Sequence, residues 1–323
     1  MKLASFIHGD RAGIGIVRDE SDLSVVEGFE SMRDLIRSGE DAERFAARGV
    51  TPFSQVDWLP PVRYPGKIVC VAMNNSASNA RKIQAPDHPA YFLKPPSCLV
   101  GHKHPVRIRP YYGSVHPEPE LAVVIGKRTR DVDAVHALDA VFGYTIMNDI
   151  TGNGMRAEDM FHYWALYADP DNPDELQKRE QHLSYAARYK GTDSFGCMGP
   201  VIVTKDEIPD PDNLNVYCRV GGETVAEDST RYYNFKVVEV ISFLSQFQTL
   251  EPGDVISCGT AFKPSQNRKS IHHANFQVVD GPVEVEIEGI GTLSNPVEIE
   301  DRPIGSWRLG DGGPGSPESD QGN

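Results

Sequence analysis

Apolar and polar residues alternate with a period of two along much of this chain, the spacing of half-buried strands rather than helices. Lys2–Ile7 and Ala12–Val17 alternate in this way around His8-Gly9-Asp10 and predict a hairpin. Ser31–Arg37 and Asp41–Arg48 predict two short helices, so residues 1–60 read as a small N-terminal α/β domain. A connector marked by Pro52, Pro60, Pro61 and Pro65 leads to Lys67–Met73, a continuous apolar run of the kind found in strands buried on both faces. Further strands are predicted at Leu121–Ile125, Val141–Met147, Val201–Thr204, Val216–Val220 and Val283–Ile287, with Gly221-Gly222 as a hairpin turn. One amphipathic helix is predicted from Val238, Ile241, Leu244 and Phe247. Residues 156–190 are polar and read as helical, with charge concentrated in Asp174–Glu180. Residues 301–323, rich in Gly, Pro, Ser and Asp, predict a disordered tail.

Composition narrows the function classes. With 32 Lys and Arg against 46 Asp and Glu, the 323-residue chain carries a net charge of -14. It has no basic block, so nucleic acid is not an expected partner. No apolar run approaches the roughly 20 residues that span a bilayer. The start, MKLASFIHGD, lacks the apolar core of a secretion signal, and a cytoplasmic location is expected. The five Cys (Cys70, Cys98, Cys197, Cys218, Cys258) show no C-x-x-C spacing, which argues against a disulfide framework or a structural zinc site and for buried small hydrophobes. Gly at 29 and Pro at 24 punctuate short segments and favour a β-rich fold with many turns.

The strongest local chemistry lies in His116-Pro117-Glu118-Pro119-Glu120, which runs into the strand Leu121–Ile125. Residues i and i+2 of a strand share a face, so Glu118 and Glu120 point the same way. Two adjacent carboxylates repel unless a cation sits between them, and a hard dication with oxygen ligands answers that need. A solvated acidic strand end would also account for the pattern. Asp149 ends the run Val141–Met147 and is either a turn residue or a third carboxylate for the pair. Lys190 precedes the Gly-rich stretch to Pro200, and Thr260 ends Leu250–Thr260, where it terminates a strand or offers a donor to an anion.

Taken in order, these pieces resemble the fumarylacetoacetate hydrolase family. The matching stretches are Lys67–Val71, Phe92–Ser97, Pro117–Gly126, Gly143–Asp149, Lys190–Pro200, Leu250–Thr260 and Val285–Asn295, collinear over residues 67–300. The resemblance implies a β-rich α/β protein, with a mixed β-sheet roll as its C-terminal domain, and a homodimer. It implies that Glu118, Glu120 and Asp149 hold a divalent metal (Mg²⁺, or Mn²⁺ or Ca²⁺), and that Lys190, followed by Asp193, is catalytic. It also implies that Thr260 and Lys94 lie on the substrate side.

The sequence departs from the family in five places. Where many members carry the His and Glu that activate water, Ser78 and Arg81 stand here; Arg81, with its planar fork, could clamp a second substrate carboxylate. Thr151–Arg156 and Ala226 also replace residues common in the family, and Ala261 replaces a Pro. The chain between Asp149 and Lys190 is longer than usual and carries Phe161-His162-Tyr163-Trp164, expected as a helical lid. A substitute base could be His88, beside Asp87, or His162.

These features together predict a metal-dependent enzyme acting on a small dicarbonyl or 2-oxo acid, most simply by hydrolytic C–C cleavage. Near a dication, Lys190 is expected to favour its neutral form and so to suit proton transfer. Without the His–Glu pair, decarboxylation or keto–enol isomerisation, which needs no activated water, is the alternative. A non-catalytic carboxylate-binding protein is the reading of another class.

Overall fold

The computed structural model describes residues 1–260 and 274–307, the side chain of Arg81 excepted. The first strands are β1 (Lys2–His8), β2 (Arg11–Val17), β3 (Asp22–Val26), β4 (Thr51–Pro52) and β5 (Asp57–Leu59), with α1 (Met32–Ser38) before β4. There follow β6 (Ile68–Ala72), β7 (Ala90–Lys94), β8 (Leu99–Val100), β9 (Val106–Ile108), β10 (Val115–His116), β11 (Pro119–Ile125), β12 (Val141–Asp149) and β13 (Thr151–Gly152). Next come α2 (Asn153–Glu158), β14 (Met160–Ala168), β15 (Leu176–Ser184), α3 (Ala187–Gly191) and β16 (Gly196–Thr204). The chain continues with β17 (Asn215–Val220), β18 (Glu223–Ser229), α4 (Val237–Phe247), β19 (Val255–Thr260), β20 (Val283–Ile287), β21 (Gly291–Asn295) and β22 (Val297–Ile299).

The central sheet runs β4-β3-β2-β1-β16-β12-β11-β19-β6-β7 and is mixed: β6 lies parallel to β19, while β11 lies antiparallel to both β12 and β19. Alternation along these strands feeds two cores. Leu121, Val123 and Ile125 of β11 pack on one side with Val216, Val285, Ile241 and Leu244 from the four-stranded sheet β18-β17-β20-β21 and α4. Ala122 and Val124 pack on the other with Leu3, Ile14, Met32 and Leu35. A strand covered on both faces must be apolar throughout, hence the unbroken run from Ile68 to Val71.

The N-terminal unit is continuous with this sheet, because β1 pairs with β16 as well as with β2 and β5. Helix α1 forms as predicted: the Ser31 hydroxyl accepts from the Asp34 N–H, and Gly39 closes it at φ 68°. The second predicted helix shrinks to a 3-10 turn, Ala42–Phe45. In α4 the buried face is Val237, Val240, Ile241 and Leu244, while Phe247 is exposed. A strict three-residue spacing drifts off a 3.6-residue face, which displaces both ends of the predicted stripe. All five cysteines are buried and unbridged. No described helix is long and apolar enough to cross a membrane.

The largest correction concerns residues 156–190, which are not a helical insertion. Between the short helices α2 and α3 they form the hairpin β14–β15, paired from Met160↔Ser184 to Ala168↔Leu176. The Glu, Lys, Arg and Gln of β15 favour helix locally, but the aromatic, β-favouring run of β14 offers a strand partner. The Asp169 carboxylate, accepting the Asp171 N–H at 2.8 Å, starts the connecting turn. Phe161, Tyr163 and Trp164, expected to shield a substrate, are 59%, 42% and 62% exposed. Residues 301–307 are exposed and without regular structure; the rest of the predicted tail, 308–323, lies outside the described residues, as does Ala261.

The central strands approach too closely for side chains at some positions. A Cβ on Gly143 of β12 would lie 2.3 Å from the Val203 carbonyl oxygen and 2.8 Å from Ile202 Cγ2. Gly143→Ala is therefore expected to destabilise the protein by about 1–3 kcal/mol, read as a lower midpoint of urea unfolding. An unchanged midpoint would show that β12 and β16 can separate freely there.

Candidate functional site

Three strands bring the carboxylates together. Glu118 sits at the entry to β11 and donates its N–H to Asn148 Oδ1 at 2.9 Å, while its carbonyl accepts the Asp149 N–H at 2.9 Å. The β11–β12 register thereby places Asp149 opposite the Glu pair, and a carboxylate oxygen of each of Glu118, Glu120 and Asp149 falls within 4.8 Å of the others. On the other edge of β11 the register to β19 shifts between Glu120 and Ala122. That irregularity lets Ser257 Oγ at 2.5 Å and the Gly259 N–H at 3.0 Å both donate to Glu120 Oε2. Gly259 holds φ +95°, and a Cβ there would meet Asn74 Cβ at 2.8 Å, so only glycine fits.

Two lysines face the three carboxylates. Lys190 Nζ donates to Asp149 Oδ2 at 2.6 Å, lies 3.2 Å from Glu118 Oε1, and stands 5.2 Å from the centre of the Phe92 ring. Lys94 Nζ donates to Asp149 Oδ1 at 2.6 Å and to the Lys190 carbonyl. Lys94, expected on the substrate side, is fully buried with its ammonium on Asp149. The Thr260 hydroxyl is 3.0 Å from Glu118 Oε2 and 3.3 Å from Glu120 Oε1, and the Thr151 hydroxyl donates to Glu118 Oε1 at 2.5 Å. His116 Nε2 is 3.3 Å from the same Glu118 oxygen, and its Nδ1 accepts from the Asn153 amide at 3.0 Å. The Glu118 side chain keeps 23% of its exposure while Glu120 and Asp149 are almost fully covered, so the cluster opens to solvent on the Glu118 side.

Burial and charge set the protonation states. Burial, then the charges of Asp149 and Glu118, push Glu120 up to about 8. Burial would raise Glu118 as well, but Lys190 and His116 hold it well below the usual carboxylate range. Burial would lower Lys190, yet Asp149, Glu118 and Glu120 together raise it far above the ordinary lysine range. The neutral Lys190 expected from the sequence is thus opposed by its three carboxylate neighbours. A donor set of three carboxylates, one of them charged only with difficulty, fits a hard dication: it supplies oxygen ligands and carries more negative charge than its two lysines balance.

The stretch that departs from the family has structural work. Asn74 donates to the Cys258 carbonyl at 2.8 Å and accepts the Phe235 N–H at 2.8 Å. Ser78 is buried, its hydroxyl donating to the Asn75 carbonyl at 2.7 Å. Arg81 closes the 3-10 turn Ser76–Arg81, and its side chain lies outside the described residues. Of the substitute bases, His88 is exposed and stacks on Phe243, and His162 is exposed on the hairpin; neither belongs to the carboxylate cluster among the described residues. Asp193 is likewise exposed. Sequence reasoning missed Ser257 and Gly259, because the register irregularity that brings both to Glu120 breaks the regular alternation of the strand; Gly259 itself was the one signal of it. It also missed Thr151 and Asn153, read only as departures, and the contact of His116 with Glu118.

The sequence profile described as "Fumarylacetoacetate (FAA) hydrolase C-terminal" matches residues 67–298. The human mitochondrial oxaloacetate tautomerase FAHD2B is 33% identical over 275 residues, 83% of this chain and 80% of the relative. Among solved structures, fumarylacetoacetate hydrolase from Exiguobacterium antarcticum superposes with a TM-score of 0.71 at 28% identity, over 93% of this chain and 100% of that one. Maleylpyruvate hydrolase from Sphingobium sp. SYK-6, in complex with manganese(II) and pyruvate, gives 0.67 at 26% identity over 93% and 99%.

Because Glu120 keeps its proton below about pH 8, binding a dication must displace it. The sign follows: affinity for Mg²⁺ or Mn²⁺ is expected to rise with pH up to about 8, and binding at pH 7 to release close to one proton. Calorimetric titration in buffers of different ionisation enthalpy reads this directly. Buffer-independent heat with an affinity flat from pH 6 to 9 would contradict it. Asp149→Ala should lose most of the affinity, and parent-like binding by that variant would refute the ligand assignment.

Proposed function

The chain belongs to the fumarylacetoacetate hydrolase family, and from that premise we propose that it is a divalent-metal-dependent enzyme interconverting the keto and enol forms of a 2-oxo dicarboxylate of the oxaloacetate type. One observation carries the choice of reaction. The two positions where a water-activating pair would stand hold Ser78, whose hydroxyl is bound to backbone, and Arg81, which stays protonated at any physiological pH. Lys190 and the three carboxylates, which stabilise an enolate, remain together. The tautomerase named above, similar over four-fifths of its length, supports the same choice.

A dication held by Glu118, Glu120 and Asp149 would polarise the 2-oxo group as a Lewis acid. Asp149 is fixed for that task by Lys94 and Lys190, and Glu120 by Ser257 and Gly259. Lys190, kept charged by its neighbours, donates a hydrogen bond to the oxygen on which enolate charge develops. It lies beside Glu118, the ligand on the open side, so an anionic substrate arriving there meets the ammonium directly. Arg81 is assigned the distal carboxylate on chemical grounds, since its fork suits bidentate contact.

A second reading, hydrolytic C–C cleavage of an acylpyruvate, is favoured by the structural match to the maleylpyruvate hydrolase with bound manganese and pyruvate. The two are separated by following ultraviolet loss of enol-oxaloacetate against release of pyruvate from acylpyruvates, each with Mg²⁺ and Mn²⁺. The expected result is metal-dependent ketonisation well above that of the free ion, with no pyruvate release. Cleavage without ketonisation would establish the second reading instead. Lys190→Met is expected to lower kcat by about 10²–10³-fold while metal binding persists. Arg81→Ala is expected to raise KM for the dicarboxylate and barely change it for a monocarboxylate; an equal change for both would remove Arg81 from the site.

A further inference from the structure

The hairpin β14–β15 carries a second group of metal-ligating side chains. Its register pairs His162 with His182 and Trp164 with Glu180, so His182 lies directly across from His162 and Glu180 lies on the diagonal of the same face. The two imidazole rings are stacked at 4.2 Å between centres and 10° between planes. His162 Nε2 is 2.5 Å from Glu180 Oε1, and one ligand atom from each of the three residues falls within 4.8 Å of the others. All three side chains are exposed.

We propose that His162, Glu180 and His182 form a second metal site, selective for a borderline transition dication such as Zn²⁺. Two imidazole nitrogens and one carboxylate suit Zn²⁺, Ni²⁺ or Cu²⁺, whereas the oxygen-only set at Glu118, Glu120 and Asp149 suits a harder ion. An ion pair with Glu180 needs only one imidazole. A second ring stacked on the first gains nothing from that pair, and two imidazolium rings at this spacing repel. Two neutral rings do not, and both can turn a nitrogen toward one cation. The backbone is already placed: nine residue pairs fix the register, and only side-chain rotation remains to bring the nitrogens together.

The site also answers a need of the local fold. Strands β14 and β15 form a two-stranded sheet of their own, an arrangement marginally stable in water. An ion bound to His162 on one strand and to Glu180 and His182 on the other fastens the two together, and binding to the folded hairpin alone stabilises it by mass action. With three protein ligands, a tetrahedral ion keeps one position open to water or to a ligand from outside.

The test uses the full chain in a large excess of Mg²⁺, titrated with Zn²⁺ against a chromophoric chelator. The parent is expected to take up one Zn²⁺ equivalent that Mg²⁺ does not displace, and Asp149→Ala is expected to keep it. Even outer partners of ligands cost about 10–100-fold when removed, so His182→Gln and Glu180→Gln should each weaken uptake at least about tenfold. Hydrogen exchange of the β14–β15 amides is the second measurement: Zn²⁺ should slow it in the parent and leave His182→Gln unchanged. The proposal is overturned if the parent takes up no Zn²⁺ under excess Mg²⁺, if Asp149→Ala loses the equivalent, or if His182→Gln binds Zn²⁺ as the parent does.

Discussion

Three carboxyl groups and two ammonium groups share a space a few ångströms across at the end of the central sheet, and their mutual electrostatics constrain the rest of the molecule. Isolated, any of these buried charges would be costly. Together they leave a deficit of positive charge that the protein meets by keeping a proton on Glu120. A dication held by Glu118, Glu120 and Asp149 would take the place of that proton and, with all three carboxylates ionised, would leave a net positive charge suited to an anion. The same grouping that suits a dication would therefore also suit an anion beside it.

Holding the cluster requires that β11, β12 and β19 keep their register to the residue. A one-residue slip of β12 against β11 would turn Asp149 to the opposite face, and loss of the irregularity between Glu120 and Ala122 would disturb the reach of Ser257 and Gly259 to Glu120. The two apolar layers supply that rigidity. The N-terminal strands and α1 close one face and the four-stranded sheet with α4 closes the other, so β11, with Glu118 and Glu120 at its start, is apolar from Leu121 to Ile125. This is why a unit that looks separate along the chain is part of the sheet in space.

Strands built for burial, the Glu-x-Glu pair and the collinear order of the motifs were all legible along the chain, because period-two patterning and i, i+2 geometry are local properties. Asp149 stood in the sequence as either a turn residue or a third carboxylate, and its convergence with Lys190 on the Glu pair was implied by family resemblance, since no local rule relates residues on different elements. Three matters belonged to tertiary structure alone. Residues 156–190 carry helix-forming side chains on β15, yet nine cross-strand pairs with β14 outweigh a propensity worth tenths of a kcal/mol per residue, and so bring His162, His182 and Glu180 together. Lys94 has the composition of a surface residue, and only the approach of β7 and α3 to the end of β12 buries its ammonium against Asp149. Protonation was decided there too, because whether Glu120 keeps its proton and Lys190 its charge depends on which groups lie within a few ångströms in a dry interior, a distance that chain order does not specify.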